Sequence, residues 1–373
     1  MALDGTLFHL PDTAANAAAF GRSSNQYGPG AYPQVKCVLL AACGSHAVVG
    51  LEMDRYDVSE VHGAYRLLWQ LGVDMLLLVD AGLISGAFIE QVRERGAHVL
   101  GALEAGAWEQ PKQARRLADG SVLAWVEPAH GGRYRQQRGM WVRILSYRVT
   151  DARLGEPGKV YRLVTTLLNP RVAPALTLLN LYHQRWEIEL VIDEIKTHER
   201  GQRQVLRSKT PEGVCQELYG IYLAHDAVRA LMAHASIEAA LDPDRLSFSE
   251  GLFELTERLS FALTLEPEQS HGFLLARVRH KMACHVLPPR RLRINRREIK
   301  QIYHTYKPKK RGVPPPEPFE LEEQFLDFVE LLDPLAPTLP VGDPSVRCIG
   351  ACAAHGGATL YRTWDRYRPW QPV

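Results

Sequence analysis

The sequence predicts an α/β protein built on a mixed sheet, with an all-β insertion ahead of its most informative helix. Three observations carry this. Residues 3–10, 35–42 and 46–52 are short apolar or alternating runs, and Gly44-Ser45 makes a hairpin turn between the last two. From residue 58 to 103, helical and strand-like patterns alternate. From 104 to 170, turn signals separate short strand-like runs. Meandering strands followed by alternating elements imply both antiparallel and parallel pairs in one sheet.

Residues 58–71 have helical periodicity. The run 75–79 is continuously apolar and of strand length, and it ends at Asp80, while Asp74 sits at its entry in a turn or cap. Residues 87–95 read as helix and 98–103 as strand. In the insertion, Ala118-Asp119-Gly120 and His130-Gly131-Gly132 are turns, with strands at 121–126, 141–150 and 160–168. Helix returns at 173–196 and 211–235, the second with Thr210 as N-cap and Pro211 at its first position. A further helix covers 248–262, and an amphipathic stretch at 320–332 reads as a short helix. The chain therefore divides into a first α/β part (1–103), a β-rich insertion (104–170) and a helical part (171–288). A basic segment (289–311) and a largely disordered tail (312–373) follow, the latter holding ten of the 24 prolines.

The 373 residues are 46% apolar and 23% charged, which excludes a wholly disordered chain, a collagen and a coiled-coil rod. The longest apolar runs fall far short of the ~18 residues of a membrane span, and no signal peptide is evident. Six cysteines without a CxxC pair suit a reduced, cytoplasmic protein. The net charge of +2 hides a block at 289–311 with ten Lys or Arg and one Glu. Tyr303 and Tyr306 interleave with these charges. The block, with Arg290, Arg291 and Arg293 at its start, is either a face for nucleic-acid backbone or a solvated face. Arg133, Tyr134, Arg135, Arg138, Trp141 and Arg143 in the insertion admit the same two readings.

Three carboxylates stand out. Asp80 ends a buried strand, where ligand-binding groups gather in open α/β sheets. Asp4 lies inside a strand, where Asp is disfavoured. Glu189 lies on the helix Tyr182-His-Gln-Arg-Trp-Glu-Ile-Glu-Leu-Val-Ile-Asp-Glu-Ile-Lys196. At ~100° per residue, Tyr182, Arg185, Glu189 and Lys196 share one ~60° stripe. Leu181, Ile188, Val191, Ile192 and Ile195 form the buried stripe beside it. A surface helix with an Arg185–Glu189 pair is the plainer interpretation. The richer one is an oxygen-only site for two Mg²⁺ ions, which suits in-line phosphoryl displacement.

The helix resembles the Y-x2-R-x3-E-x6-K signature of insertion-sequence-four type DDE transposases, matched by Tyr182, Arg185, Glu189 and Lys196. Leu3-Asp-Gly-Thr, with residues 11–21, is similar to the block around that family's first catalytic Asp. Met75-Leu-Leu-Leu-Val-Asp80 is similar to the block around its second. The resemblance spans roughly residues 4–235. It implies an RNase H-like fold and Asp4, Asp80 and Glu189 as catalytic, metal-binding residues for Mg²⁺, with Mn²⁺ as substitute. It implies contacts from Tyr182, Arg185 and Lys196 to double-stranded DNA at transposon ends and target, supported by Arg200, Arg207 and Lys209 after the helix. Hydrolytic nicking, then attack by the freed 3′-OH, is the reaction implied, with a homodimer in the DNA complex and no membrane partner. Two departures are visible: Ala81 stands where members carry Arg, and the chain begins three residues before Asp4, without the usual N-terminal helical region. They predict a truncated member with Asp4 near a fraying terminus and weak nicking at most. A DNA-binding remnant and an RNase H-like nuclease stay open as alternatives.

Overall fold

A computed structural model describes residues 1–26, 28–104, 106–108, 111, 113–126, 139–156, 158–200, 205–262, 267–288 and 324–333. These all fall in one compact unit, Met1–Leu335. The elements run β1 (Ala2–His9), α1 (Ala14–Phe20), β2 (Ser24–Asn25), β3 (Gly28–Pro29), β4 (Gln34–Ala41), β5 (Val48–Arg55), α2 (Glu60–Leu67), β6 (Leu76–Val79), α3 (Gly86–Glu94) and β7 (His98–Ala102). Then come β8 (Gln113–Arg116), β9 (Val122–Val126), β10 (Met140–Val149), β11 (Val160–Thr165), α4 (Ala175–His183), α5 (Glu187–Asp193), α6 (Pro211–Ala239), α7 (Phe248–Ala262), α8 (Pro267–Cys284) and β12 (Val329–Leu332).

Among the described residues, ten strands form one mixed sheet in the order β5-β4-β1-β6-β7-β11-β10-β9-β8, with β12 added to β10. β1 pairs antiparallel to β4 and parallel to β6, and β6 runs parallel to β7. The β-rich stretch is present as β8–β11. It extends the central sheet, because β11 pairs antiparallel to β7.

Strand alternation divides the core into layers. Val35, Cys37, Leu39 and Ala41 of β4 join Ala2, Phe8 and Leu78 in packing against Leu178, Ile188, Val191, Ile195 and Leu218 of the helical run and α6. Val38 and Leu40 point the other way, with Leu3, Leu77 and Val79, onto Ala64 and Leu67 of α2 and Phe88 and Val92 of α3. A separate cluster of Val228, Met232, Leu246, Phe248, Val278 and Met282 ties α6 to α7 and α8. Side-chain caps start the helices as their sequences dictate: Thr13 for α1, Ser59 for α2, Ser85 for α3, and Thr210 with Pro211 for α6. No helix among the described residues is long and apolar enough to cross a membrane.

Four expectations are corrected. Asp4 is not near a fraying end: the Met1 amino group donates to the Leu76 carbonyl at 2.9 Å, Ala2 pairs with Leu78 of β6, and β4 pairs with β1 along its whole length, Asp4 included. The stretch 320–332 does not end in a helix. Phe325–Phe328 is a single 3-10 turn, and Val329–Leu332 pairs with Ser146–Val149, continuing the β10 edge beyond its pairing with β9. Arg143 faces neither DNA nor solvent; it is fully buried, paired to Asp119, and donates to Ser121 Oγ at 2.7 Å and the Ala173 carbonyl at 2.5 Å. The run 173–196 is not one regular α-helix. A 3-10 turn (Gln184–Trp186) separates α4 from α5, and a π turn (Glu194–Glu199) follows α5. α1 and the β2–β3 hairpin add elements the pattern did not mark.

Candidate active site

Register brings two of the carboxylates together. Ala2 pairs with Leu78 across parallel strands, so two residues further on Asp4 comes level with Asp80. Alternation turns both toward the layer of α5, the face that Ala2 and Leu78 occupy. Asp80 directly follows β6 and begins a 3-10 turn, Ala81–Leu83; its side chain is half-exposed. Glu189 arrives from α5, whose apolar stripe of Ile188, Val191 and Ile195 is buried as the sequence predicts. Burying each such side chain stabilises the fold by about 1.5–3 kcal/mol, and this fixes the polar stripe that runs beside it.

Arg185 joins the three. Its Nε lies 3.0 Å from Asp80 Oδ1 and its Nη2 lies 3.3 Å from Glu189 Oε1. Its Nη1 is buried with no hydrogen-bond partner. The expected Arg185–Glu189 pair is therefore real, but it is mostly buried and bound into the carboxylate cluster. Burial pushes the Asp4 carboxyl up; the Gly5 amide, donating at 2.7 Å, opposes this, and the charges of Asp80 and Glu60 add to it. The outcome is an Asp4 pKa pushed up to about 6. The Tyr182 hydroxyl donates to the Val79 carbonyl at 3.3 Å, beside Asp80, and burial pushes it up to about 12.

The oxygen-only donor set of Asp4, Asp80 and Glu189 fits Mg²⁺ or Mn²⁺. Arg185 now supplies the positive charge that faces Asp80 and Glu189. The three are not drawn into a closed set. Among the described residues, only His46, Glu187 and Asp244 place His, Cys, Asp or Glu donors all within 4.8 Å of one another.

The other expected residues scatter along the same face. Lys196 Nζ donates to the Leu7 carbonyl at 2.7 Å and sits 4.9 Å from the Phe8 ring centre; the Arg200 guanidinium stacks on that ring at 5.1 Å. Arg207 and Lys209 are exposed just before α6. Arg290, Arg291 and Arg293, with 133–138 and the rest of 289–311, lie outside the described residues. His183 and His198 are exposed. Sequence reasoning missed a second cluster built on His46, whose partners stand far away along the chain. The spacing of Glu187 and Glu194 on one helix face, and of His225 and Arg229 on another, was its available signal.

Fold and site together define an α/β protein with an acidic cluster at the carboxyl end of a central strand, crossed by an arginine from a covering helix. The transposase DDE domain family model matches residues 1–226, and the chain belongs to that family. It is 33% identical over 251 residues to the transposase InsG for insertion sequence element IS4 of Escherichia coli (strain K12), an alignment covering 67% of this chain and 56% of that protein. The chain thus spans just over half the length of this relative. A solved structure, the piggyBac transposase synaptic complex with hairpin DNA, is 11% identical with a TM-score of 0.44, covering 75% of this chain and 57% of that one.

Proposed function

We propose that this chain is a DNA transposase with an RNase H-like core, acting in the cytoplasm on double-stranded DNA at insertion-sequence ends and target. The observation that carries this is the meeting of Asp80 and Glu189 on Arg185, beside Asp4, in a chain of the transposase DDE domain family. Asp4, Asp80 and Glu189 would hold Mg²⁺, or Mn²⁺ in its place. When bound, such ions stabilise the attacking and leaving oxygens of an in-line displacement at phosphorus.

The protein's own groups position the DNA. Arg185, whose Nη1 is the nitrogen left over from its pairing with Asp80 and Glu189, would donate to a phosphate oxygen. Tyr182 fixes the Asp80 backbone by its bond to Val79. Lys196 and Arg200, stacked on Phe8, carry the positive stripe further along the strand. In the first step water forms a bond to phosphorus as the bond to the 3′ oxygen breaks, releasing a 3′-OH. In the second, that 3′-OH attacks a target phosphorus and a target 3′ oxygen leaves. A homodimer would present two such sites to paired ends.

The test is excision from a supercoiled donor plasmid carrying matching insertion-sequence ends. Mg²⁺-dependent excision that is lost in Asp80→Asn and Glu189→Gln, with DNA binding retained, is the expected result. Cleavage indifferent to both substitutions contradicts the proposal. The remnant reading is favoured by one observation, Ala81 in place of a cation after Asp80. It predicts DNA binding with no excision by the unaltered chain.

A further inference from the structure

Beyond the carboxylate site, we propose that His46, Glu187 and Asp244 form a separate binding site for a borderline transition-metal ion of the Zn²⁺ class. Glu187 and Glu189 are two residues apart on α5, about 200° around the helix. The site therefore lies on the opposite side of the helix from the Asp80–Glu189 cluster.

The donors are already arranged for one ion. His46 Nε2 lies 2.9 Å from Glu187 Oε2 and 3.1 Å from Asp244 Oδ1, and His46 and Glu187 are buried. Three donors about 2.0–2.1 Å from a tetrahedral ion stand ~3.3 Å apart; the two separations from His46 are close to this, and all three donor atoms lie within 4.8 Å of one another. An imidazole with two carboxylates selects Zn²⁺ or a similar ion over Mg²⁺, which demands more oxygens and retains water.

The surroundings supply what a ligating histidine needs. His46 Nδ1 lies 3.0 Å from Glu194 Oε1, a carboxylate placed to take the Nδ1 proton's hydrogen bond and leave Nε2 for the ion. Glu194 is itself held by His225 Nε2 at 3.0 Å and by Arg229 Nε at 2.9 Å. Arg229 Nη2 also approaches Nδ1, at 2.6 Å, and it too bonds Glu194. With Nδ1 protonated, the guanidinium keeps Glu194 as its partner. Asp226 faces the far nitrogen of His225 at 3.7 Å. A cavity of about 260 Å³, bordered by His46, Glu194, Asp244, Ser247 and Phe248, opens beside the donors and leaves room for water in the fourth position.

Charge balances. A divalent ion matches Glu187 and Asp244, and Arg229 matches Glu194. Binding breaks the His46 Nε2–H bond and releases that proton to water; no electrons move. The site would clasp the β4–β5 turn, the helix carrying Glu189, and the 3-10 turn Pro243–Arg245 that leads into α7.

The experiment uses the full chain, stripped with chelator and then titrated with Zn²⁺ alone or Co²⁺ alone in excess Mg²⁺. Metal content, calorimetry and the Co²⁺ visible spectrum are read. One Zn²⁺ per chain and a tetrahedral Co²⁺ spectrum are expected, both retained in an Asp80→Asn/Glu189→Gln double variant. Asp244→Asn, on a partly exposed turn, should weaken Zn²⁺ at least tenfold, and His46→Asn should abolish it. If His46→Asn does not fold, Asp244→Asn decides. No bound Zn²⁺, or binding lost in the double variant and kept in Asp244→Asn, overturns the proposal.

Discussion

Asp4 is a carboxyl group whose position suits a ligand better than a folded protein. Burial and the charges of Asp80 and Glu60 raise it from 3.8 to about 6. Above pH 6 the folded chain ionises it at a cost that the unfolded chain does not bear. Asp4→Asn should therefore raise stability in chelator at pH 8 by about 1–3 kcal/mol, while excision is lost. The gain should vanish below about pH 4, where both states hold the proton. Urea midpoints at the two pH values check this; a destabilised variant at pH 8 counts against the strained-carboxylate account. Asp119 has the opposite sign. Burial would push it up, but the Ser121 hydroxyl, the Arg143 guanidinium and the amides of Ser121 and Ala175 outweigh this and hold it below 3.8. Its contribution is complete above about pH 4 and is lost as pH falls through the depressed value. Asp119→Ala strands a fully buried Arg143 and should cost about 3–5 kcal/mol in equilibrium unfolding at pH 7.

The helical run from α4 to the π turn sets which residues share the site. Its apolar stripe was legible because Ile188, Val191 and Ile195 recur at the period of a helix and face a sheet. The wheel assumes one pitch throughout, so it could not show the 3-10 turn at 184–186 or the wider π turn at 194–199, a feature found often at functional sites. Lys196 lies in that π turn and reaches the carbonyl of Leu7. Lys196→Ala should weaken binding to any DNA sequence and reduce the salt slope by about one ion. A slope unchanged in a fluorescence titration removes Lys196 from the phosphate contacts. β12 was illegible for another reason: its amphipathic pattern suits a helix, and its partner β10 lies far upstream. Removing the chain after Pro288 should speed hydrogen exchange at the Ser146–Val149 edge of β10, where β12 pairs, and leave β6 protected.

Across the whole molecule, the parts read correctly were those set by local period: β4, the run into Asp80, the capped α6. The His46 cluster escaped because its contacts join residues 141 and 148 positions apart. Only the closed sheet, with α5 and α6 laid over one face, brings them together. The same layering places Asp4, Asp80 and Glu189 under one helix, and the account stands or falls on whether they bind metal. The most direct measurement is anomalous scattering from crystals of the full chain with end DNA and Mn²⁺. The account predicts two peaks ~4 Å apart among these three carboxylates, with Arg185 turned from Asp80 and Glu189 to a phosphate. Mn²⁺ absent there, with Arg185 still paired to both carboxylates on bound DNA, would contradict it.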